Sequence, residues 1–544
     1  MDTAKNAGHW FGGAKVKRKV FCCYFARPNP IRSSICSYAP RTSIPDMIVK
    51  VLEKKPPDAV VVPLAQQENL AENLADIARH AGVGSDMLQT DFRGEAKEVF
   101  VLYAANNPGR KFYLVGLGKK DGFQEVYSAL RAFCFRYKSK LPRRTGVELR
   151  HFQAGKVARL TDAAVSGMLL GLYNTGLYRT ETEPKPAPVF GSEKSSLEIL
   201  VPPEMLSAAA AATRRGEVFA AVLRQVFDVV NASGNRKNPD LLSEWMFQVG
   251  RENGLKMRVL NAAALQSEGL EALLAVGQGS PHPPALVLLE YKPESHKRKT
   301  PVFGLVGKGV TFDTGGVSLK ASANMHFMKS DMGGAGAVFG TFLVAALLRL
   351  PLRLVGAIPV AENMIAGNAL KPGDVIGSCA GKTIEVTDTD AEGRLILADA
   401  IAYLLRSEKP DVLIDIATLT GSVIRTLGYA AAGLFSNNDA LAGALTQTGD
   451  ACGERLWRLP LWEEYGADLK SDVADLRNFT GKPMAEAISA AKFIDHFTAQ
   501  HPAWAHLDIA GTAFGETEFG QSKNATGYGV RLLVEFMEQW LEIA

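Results

Sequence analysis

Asp388-Thr389-Asp390-Ala391-Glu392-Gly393-Arg394-Leu395 sets three acids, a glycine and an arginine in one short stretch, directly after an apolar, strand-like segment. On an extended backbone Asp390 and Glu392 share a face. They can offer several hard oxygen ligands to one cation, with the fixed charge of Arg394 close behind. Taken alone, an acidic run of this kind is usually a solvated turn. Its meaning depends on what else the chain supplies.

A second cluster supplies the complement. It runs from Val306 through Lys308, Asp313, Thr314, Gly315 and Gly316 to Lys320, and on through Met328-Lys329-Ser330-Asp331-Met332. Phe303 to Val306 is apolar and predicts a buried strand ending at Gly307. Glycines at 307, 309, 315 and 316 permit sharp turns and close backbone approach. Asp313 and Asp331 are then expected from loop positions beyond that strand, where open α/β sheets place their ligands. Lys308, Lys320 and the aspartates, each read singly, are ordinary surface charges. Both clusters in one chain point to a carboxylate-rich metal centre.

With these residues in view, the chain resembles the leucyl aminopeptidases of the M17 metallopeptidase family (cytosol aminopeptidases). Their signature octapeptide, Asn-Thr-Asp-Ala-Glu-Gly-Arg-Leu, is matched at seven of eight positions, Asp388 standing where the family has Asn. The upstream signature fits Lys308, Asp313, Lys320 and Asp331 without a gap. Ala417-Thr418-Leu419-Thr420-Gly421, His506-Leu507-Asp508-Ile509-Ala510-Gly511-Thr512 and Ala525-Thr526-Gly527-Tyr528-Gly529-Val530-Arg531 also resemble family stretches. The likeness is strong over about residues 215–544 and weak before them.

The resemblance implies two divalent ions held by Lys308, Asp313, Asp331, Asp390 and Glu392. The tighter site would use Lys308, Asp313, Asp331 and Glu392, the more exchangeable one Asp313, Asp390 and Glu392. Four carboxylates balance two dications if Lys308 binds as the neutral amine, which a nearby dication favours. Oxygen ligands with one amine should accept zinc, manganese, cobalt or magnesium. The implied reaction is attack of metal-activated water on the first peptide bond, Lys320 stabilising the oxyanion and Arg394 holding a bicarbonate as base. The implied pocket for the N-terminal side chain is Met328, Thr418, Leu419, Gly421, Ala510 and Ala513. Those residues are small or apolar and suit leucine-like side chains, with core packing the alternative for Met328. The resemblance also implies a homohexamer built as a dimer of trimers, acting on peptides in the cytoplasm.

Other readings are weighed on residue content. The chain has no HExxH, and His496 and His501 have the wrong spacing with no glutamate between them, so a helix-borne zinc protease is excluded. A different two-metal hydrolase, such as a phosphatase, would bring histidines that these clusters lack. A non-catalytic relative serving as a binding or DNA-associated scaffold would have no need of Lys320 and Arg394. Gly377-Ser378-Cys379-Ala380-Gly381-Lys382-Thr383 is one residue short of a P-loop and is expected to be a plain loop.

At 544 residues, 47% hydrophobic and 22% charged, the chain can bury two or three substantial cores. No apolar run is expected to reach the roughly 20 residues that span a bilayer. Cysteines at 22, 23, 36, 134, 379 and 452 form no CxxC pair and suggest free thiols in a reducing compartment. Residues 1–45 carry eight Lys or Arg against one acid, a net +7; with +4 for the whole chain, the remainder is −3. That leaves no basic body for nucleic acid. The basic extension resembles a mitochondrial transit peptide, with an untargeted extension as the alternative.

The expected fold class is α/β with two domains: a smaller N-terminal α/β domain at 46–203 and a catalytic domain with a mainly parallel sheet at 231–544. Apolar segments predict strands at 59–63, 98–103, 111–117 and 197–201, and a helix at 122–137. The stretch 179–188 is expected to be an exposed loop. Alanine-rich 204–230 predicts a long connecting helix. Strands at 286–290, 302–306, 353–359 and 411–415 alternate with helices, the pattern of a parallel sheet covered on both faces.

Overall fold

The structure is a computed structural model, and it describes residues 48–51, 57–105, 107, 109–180, 190–192, 194–293, 300–515, 519–520 and 522–543. The basic extension, Cys22, Cys23, Cys36 and most of the 179–188 stretch lie outside the described residues.

The smaller sheet contains β1 (Ile48–Val51), β2 (Ala59–Ala65), β3 (Val99–Tyr103), β4 (Lys111–Gly118), β5 (Arg144–Glu148) and β6 (Ser196–Leu200). Its order is β1-β6-β5-β2-β4-β3, parallel except for the β3–β4 pair. Strand β2 explains why it is covered on both sides. Val60, Val62 and Leu64 pack against the helices Leu70–Ala81 and Ser85–Asp91, while Ala59, Val61 and Ala65 join the core under Phe123–Tyr137 and Ala154–Leu170. A strand apolar on both faces has to lie between two helical layers.

The larger sheet uses β7 (Lys256–Leu260), β8 (Ala285–Tyr291), β9 (Val302–Gly307), β10 (Gly309–Asp313) and β11 (Arg353–Asn363). After the short strands β12 (Val375–Ile376) and β13 (Ile384–Glu385) it adds β14 (Val412–Ala417), β15 (Ala432–Ser436) and β16 (Leu456–Arg458). Strand β17 (Leu476–Arg477) joins β12 and β13 in a three-stranded sheet, and β18 (Trp504–Asp508) returns to the large one. The order is β16-β15-β18-β14-β9-β11-β8-β7, with β10 pairing β11. Its centre, β18-β14-β9-β11, is parallel; β8, β7 and β15 join antiparallel. Alternation again sorts the faces. On β14, Val412, Ile414 and Ile416 join the core under the helix Gly333–Leu348, and Leu413 and Ala417 the core under Glu392–Glu408. The chain leaves β9 for β11 on one side and later adds β14 on the other. This makes the carboxyl end of β9 a switch point, where a crevice opens in such sheets.

Expected elements recur with ends shifted by a residue or a few: β4 replaces 111–117, β11 runs on to Asn363, and the connecting helix spans Leu206–Asn231. Residues 377–383 are irregular backbone, as a plain loop should be. One expectation needs correcting. Met325–Leu348 spans 24 residues and contains an 18-residue window of mean hydropathy 1.6, long and apolar enough by length and composition alone to cross a membrane. Of that window 83% is buried, because Gly333–Leu348 lies between the connecting helix and the large sheet. A helix apolar all round belongs to a core as readily as to a bilayer. Among the described cysteines, Cys134, Cys379 and Cys452 are free. Burial pushes the Cys134 thiol up to about 12.

The core of the smaller sheet continues through Leu206–Asn231 into the larger one as a single apolar cluster. A buried ion network fixes the two together. Arg531 Nη1 and Nη2 meet Asp162 Oδ2 and Oδ1 at 2.8 and 3.1 Å, and Arg531 also reaches Glu535 at 3.1 Å. Arg159 meets Glu535 at 2.8 Å, and Arg215 meets Glu538 at 2.7 Å. Arg531 stacks over the Phe219 ring, 3.9 Å from its centroid. The family-like stretch Ala525–Arg531 thus serves the joint between layers.

Candidate metal centre

The charged clusters meet where strands of the large sheet run out. Lys308 is the single residue between β9 and β10, Asp313 is the last residue of β10, and Thr418 follows β14. Asp331 follows the 3-10 turn Met325–Ser330. Glu392 opens the helix Glu392–Glu408, in its first turn, where the helix dipole favours a carboxylate. Two details differ from the sequence expectation. Asp313 comes from a strand end, not a loop, because Gly309–Asp313 finds a free edge on β11. Asp390 and Glu392 do not share an extended face; Asp390 lies in a turn that leads straight into the helix. Turn and helix start together bring the two carboxylates to one side.

Two glycines make the approach feasible. Gly315 has φ +84°, and a Cβ there would sit 2.7 Å from Asp390 Oδ1. A Cβ on Gly393 would sit 2.6 Å from Lys308 Nζ. Neither position can carry a side chain without displacing the centre.

Asp313, Asp390 and Glu392 each place a carboxylate oxygen within 4.8 Å of the others. Lys308, almost fully buried, sets Nζ 2.8 Å from Asp331 Oδ2, 2.9 Å from Glu392 Oε1, and donates to the Thr418 carbonyl at 3.0 Å. Lys320, 23% exposed, lies 2.8 Å from Asp313 Oδ2 and donates to Asp390 Oδ1. All five residues expected as ligands, and Lys320, are therefore in one place.

The electrostatics are those of a site built for cations. Burial, with Glu392 and Asp313 adding to it against Lys308, raises the Asp331 carboxyl to about 8. Burial, with Asp313 and Glu392 adding to it against Lys320, raises Asp390 to about 7, and Glu392 is raised as well. Burial alone would lower Lys308, but Asp331, Glu392 and Asp313 hold its ammonium above the ordinary range. Lys320 is raised in the same way by Asp313, Glu392 and Asp390. Despite the short contacts to Lys308, Asp331 Oδ2 and both oxygens of Glu392 have no hydrogen-bond partner of acceptable geometry. Buried carboxylate oxygens left in that state are costly. Four carboxylates facing two ammoniums, with three buried oxygens left without a hydrogen bond, fit divalent cations.

Several supporting residues left no mark in the sequence pattern. Asn363 donates to Asp313 Oδ1 at 2.9 Å and to the Thr389 carbonyl at 3.1 Å, aiming one carboxylate and tying the two clusters together. Asn478, fully buried, receives the Thr387 amide at 2.9 Å and donates to the Asp388 carbonyl at 2.6 Å. Its own carbonyl accepts from Arg394 Nη1 at 2.8 Å. Burial lowers the Arg394 guanidinium, and its Nε has no partner. Asp388 Oδ1 accepts the Asp390 amide at 2.9 Å. The Asn363 and Asn478 partnerships span tens of residues of sequence, so neither spacing nor periodicity could announce them.

Of the expected pocket, Thr418 and Ala513 flank one spot: a Cβ on Gly333 would be 3.2 and 2.9 Å from them. Thr418 Oγ1 donates to Asp331 Oδ1 at 2.7 Å. Leu419 Cδ1 lies against Gly393, and the Leu419 and Ala510 amides both donate to Asp508 Oδ1, at 3.1 and 3.2 Å. Gly421 starts the following helix, Gly421–Leu427. Met328 is half-buried in the turn before Asp331, and its backbone carbonyl accepts the Asp331 amide at 3.3 Å. The motif residue His506 is consumed by the core, its Nδ1 2.5 Å from Asp415 Oδ1.

Residues 225–534 match the model of the cytosol aminopeptidase family, catalytic domain, and residues 61–182 match that of the N-terminal domain of the same family. A probable cytosol aminopeptidase of Chloroherpeton thalassium is 38% identical over 503 residues, 89% of this chain and 97% of the relative. One from Geobacter sp. (strain M21) is 41% identical over 461 residues, 82% of this chain and 90% of the relative. The solved structure of the bottromycin maturation enzyme BotP in complex with Mn is similar at a TM-score of 0.76 and 31% identity, covering 89% of this chain and all of that one. On these matches and this centre, the chain belongs to the cytosol aminopeptidase family, metal-dependent hydrolases of N-terminal peptide bonds.

Proposed function

We propose that this protein is a leucyl aminopeptidase with two divalent ions, and that the orphaned oxygens of Asp331 and Glu392 beside Asp313 and Asp390 carry that reading. Lys308, Asp313, Asp331 and Glu392 would hold the tighter ion; Asp313, Asp390 and Glu392 the exchangeable one, zinc being expected and manganese, cobalt or magnesium accepted. Bound there, the ions would supply Lewis acidity and a water of near-neutral pKa, and a bicarbonate near Arg394 would supply a base.

The chain's own groups do the rest. Lys320 is kept charged by its carboxylate neighbours and would meet the oxyanion that develops at the scissile carbonyl. A preorganised charge of that kind is worth about 3–4 kcal/mol. Arg394 offers a planar fork suited to a bidentate oxyanion, and its Nε has no competing acceptor. Met328, Thr418, Leu419, Gly421, Ala510 and Ala513 form an apolar receptor for a leucine-like N-terminal side chain. Residues 46–203, 204–230 and 231–544 are taken as N-terminal domain, connector and catalytic domain. By family likeness the protein works in the cytoplasm as a hexamer of two trimers.

The decisive experiment is hydrolysis of leucine amide against glutamate and lysine amides, with manganese added after chelation. Metal-dependent turnover that favours leucine supports the reading; none with any amide sinks it. Arg394→Ala should be slower and, unlike the native enzyme, unresponsive to bicarbonate. Light scattering that returned a monomer would remove the hexamer.

A further inference from the structure

The turn that carries Met328 and leads into Asp331 is held from behind by an unusual group. Lys237 is 2% exposed, and among the described residues it makes no ion pair. Its Nζ donates instead to two backbone carbonyls, that of Val230 at 3.1 Å and that of Lys329 at 2.6 Å. The first lies in the last turn of the connecting helix Leu206–Asn231; the second lies between Met328 and Asp331.

An ammonium removed from water with only carbonyl oxygens around it is an expensive choice. A shorter or apolar side chain would avoid that cost but leave both carbonyls without their donor. The same segment touches the other arm of the centre. Gly234, three residues earlier, packs on Phe312, where an added Cβ would lie 3.2 Å from the ring, and Phe312 directly precedes Asp313. Asn231 at the helix end is itself fixed: its Oδ1 accepts the Ala525 amide at 2.9 Å and its Nδ2 donates to the Tyr173 hydroxyl at 3.2 Å. The segment 231–238 is therefore a rigid bracket against which both Asp313 and Asp331 are set.

We infer that Lys237 is a positioning residue of the metal centre, fixing the Met328–Asp331 turn through the Lys329 carbonyl. This rests on the proposed ligand role of Asp331. Loss of the Nζ donor frees one carbonyl in the turn and lets the Asp331 carboxylate and the Met328 side chain drift together. Metal affinity and discrimination between N-terminal side chains should then fall together.

The test is Lys237→Met in the full chain, with zinc and manganese affinity measured directly by calorimetric titration of the chelated protein. Outer partners of metal ligands typically govern affinity by about 10–100-fold, and a loss in that range is expected here. At saturating metal, KM for leucine amide should rise relative to that for alanine amide, with kcat recovering towards the native value. If Lys237→Met does not fold, Lys237→Gln keeps an amide donor one atom shorter and should show a smaller loss of the same two quantities. Native affinity and native leucine-over-alanine preference in either folded variant would overturn the inference, as would two variants that lose only thermal stability. A native protein that binds no divalent ion would instead sink the proposed function itself, and this inference with it.

Discussion

Two buried clusters of charge lie in this molecule, and they are built on opposite plans. Between the layers, Arg531, Arg159 and Arg215 face Asp162, Glu535 and Glu538, as many cations as anions, with paired contacts of 2.7 to 3.1 Å. At the end of the large sheet, four carboxylates face two lysines, and three carboxylate oxygens have no hydrogen bond. The first cluster holds Glu535 below the ordinary carboxylate range, the cations outweighing its burial. In the second, burial and mutual repulsion push Asp331, Asp390 and Glu392 upwards. Balanced burial of charge is a joint; unbalanced burial awaits a cation. The difference lies in stoichiometry and not in residue type, since both sets are acids and bases at similar depth.

Substitutions should separate the two plans. The largest effect is expected from Asp390→Asn, which should abolish metal-dependent turnover by more than the roughly 100-fold typical of an outer-shell change, while the metal-free fold stays intact. Full turnover in a sample of known metal content would remove Asp390 from the ligands. Next is Asp162→Asn, which leaves Arg531 short of its main partner inside the joint. Breaking one side of a buried pair costs about 3–5 kcal/mol. Denaturant unfolding should register that loss, while activity per folded molecule stays near native. An activity loss with unchanged stability would reverse the roles assigned to the two clusters.

Acidity offers a smaller but sharper contrast. The folded Asp331 and Asp390 keep protons that the unfolded chain gives up near pH 4. The stability they contribute in the metal-free protein is complete below that value and is lost as pH rises through about 7 and 8. Glu535 acts in the opposite sense. Its contribution is present above the ordinary glutamate range and is lost as pH falls through its lowered value. Melting temperatures across pH should therefore fall on both flanks, and added manganese should lift only the alkaline flank. An alkaline flank that ignored metal would mean that the titrating carboxylates lie elsewhere. The smallest effect is expected from Asp388→Asn, since the asparagine amide oxygen can still accept the Asp390 amide. Activity should change little, and a lost metal ion would show Asp388 to be a ligand after all.

Residue identity and motif spacing, together with the family resemblance they carry, were enough to propose the inventory of the centre. Lys308, Asp313, Lys320, Asp331, Asp390, Glu392 and Arg394 could be picked from the chain, because a metal selects donor atoms by type and motif spacing keeps them in order. The sheet strands were legible for a related reason: continuous apolar runs such as Val302–Gly307 report burial on both faces. Periodicity reports whether a residue is covered but not by what. Only the fold decided that Asn363 aims Asp313, that Asn478 carries the Arg394 turn, and that Lys237 reaches the carbonyl of Lys329. Only the fold, too, turned the bilayer-like run Met325–Leu348 into a core helix, and placed Asp390 in a turn with Glu392 at a helix start. Those outcomes depend on which surfaces meet across tens or hundreds of residues, and that is fixed by tertiary packing alone.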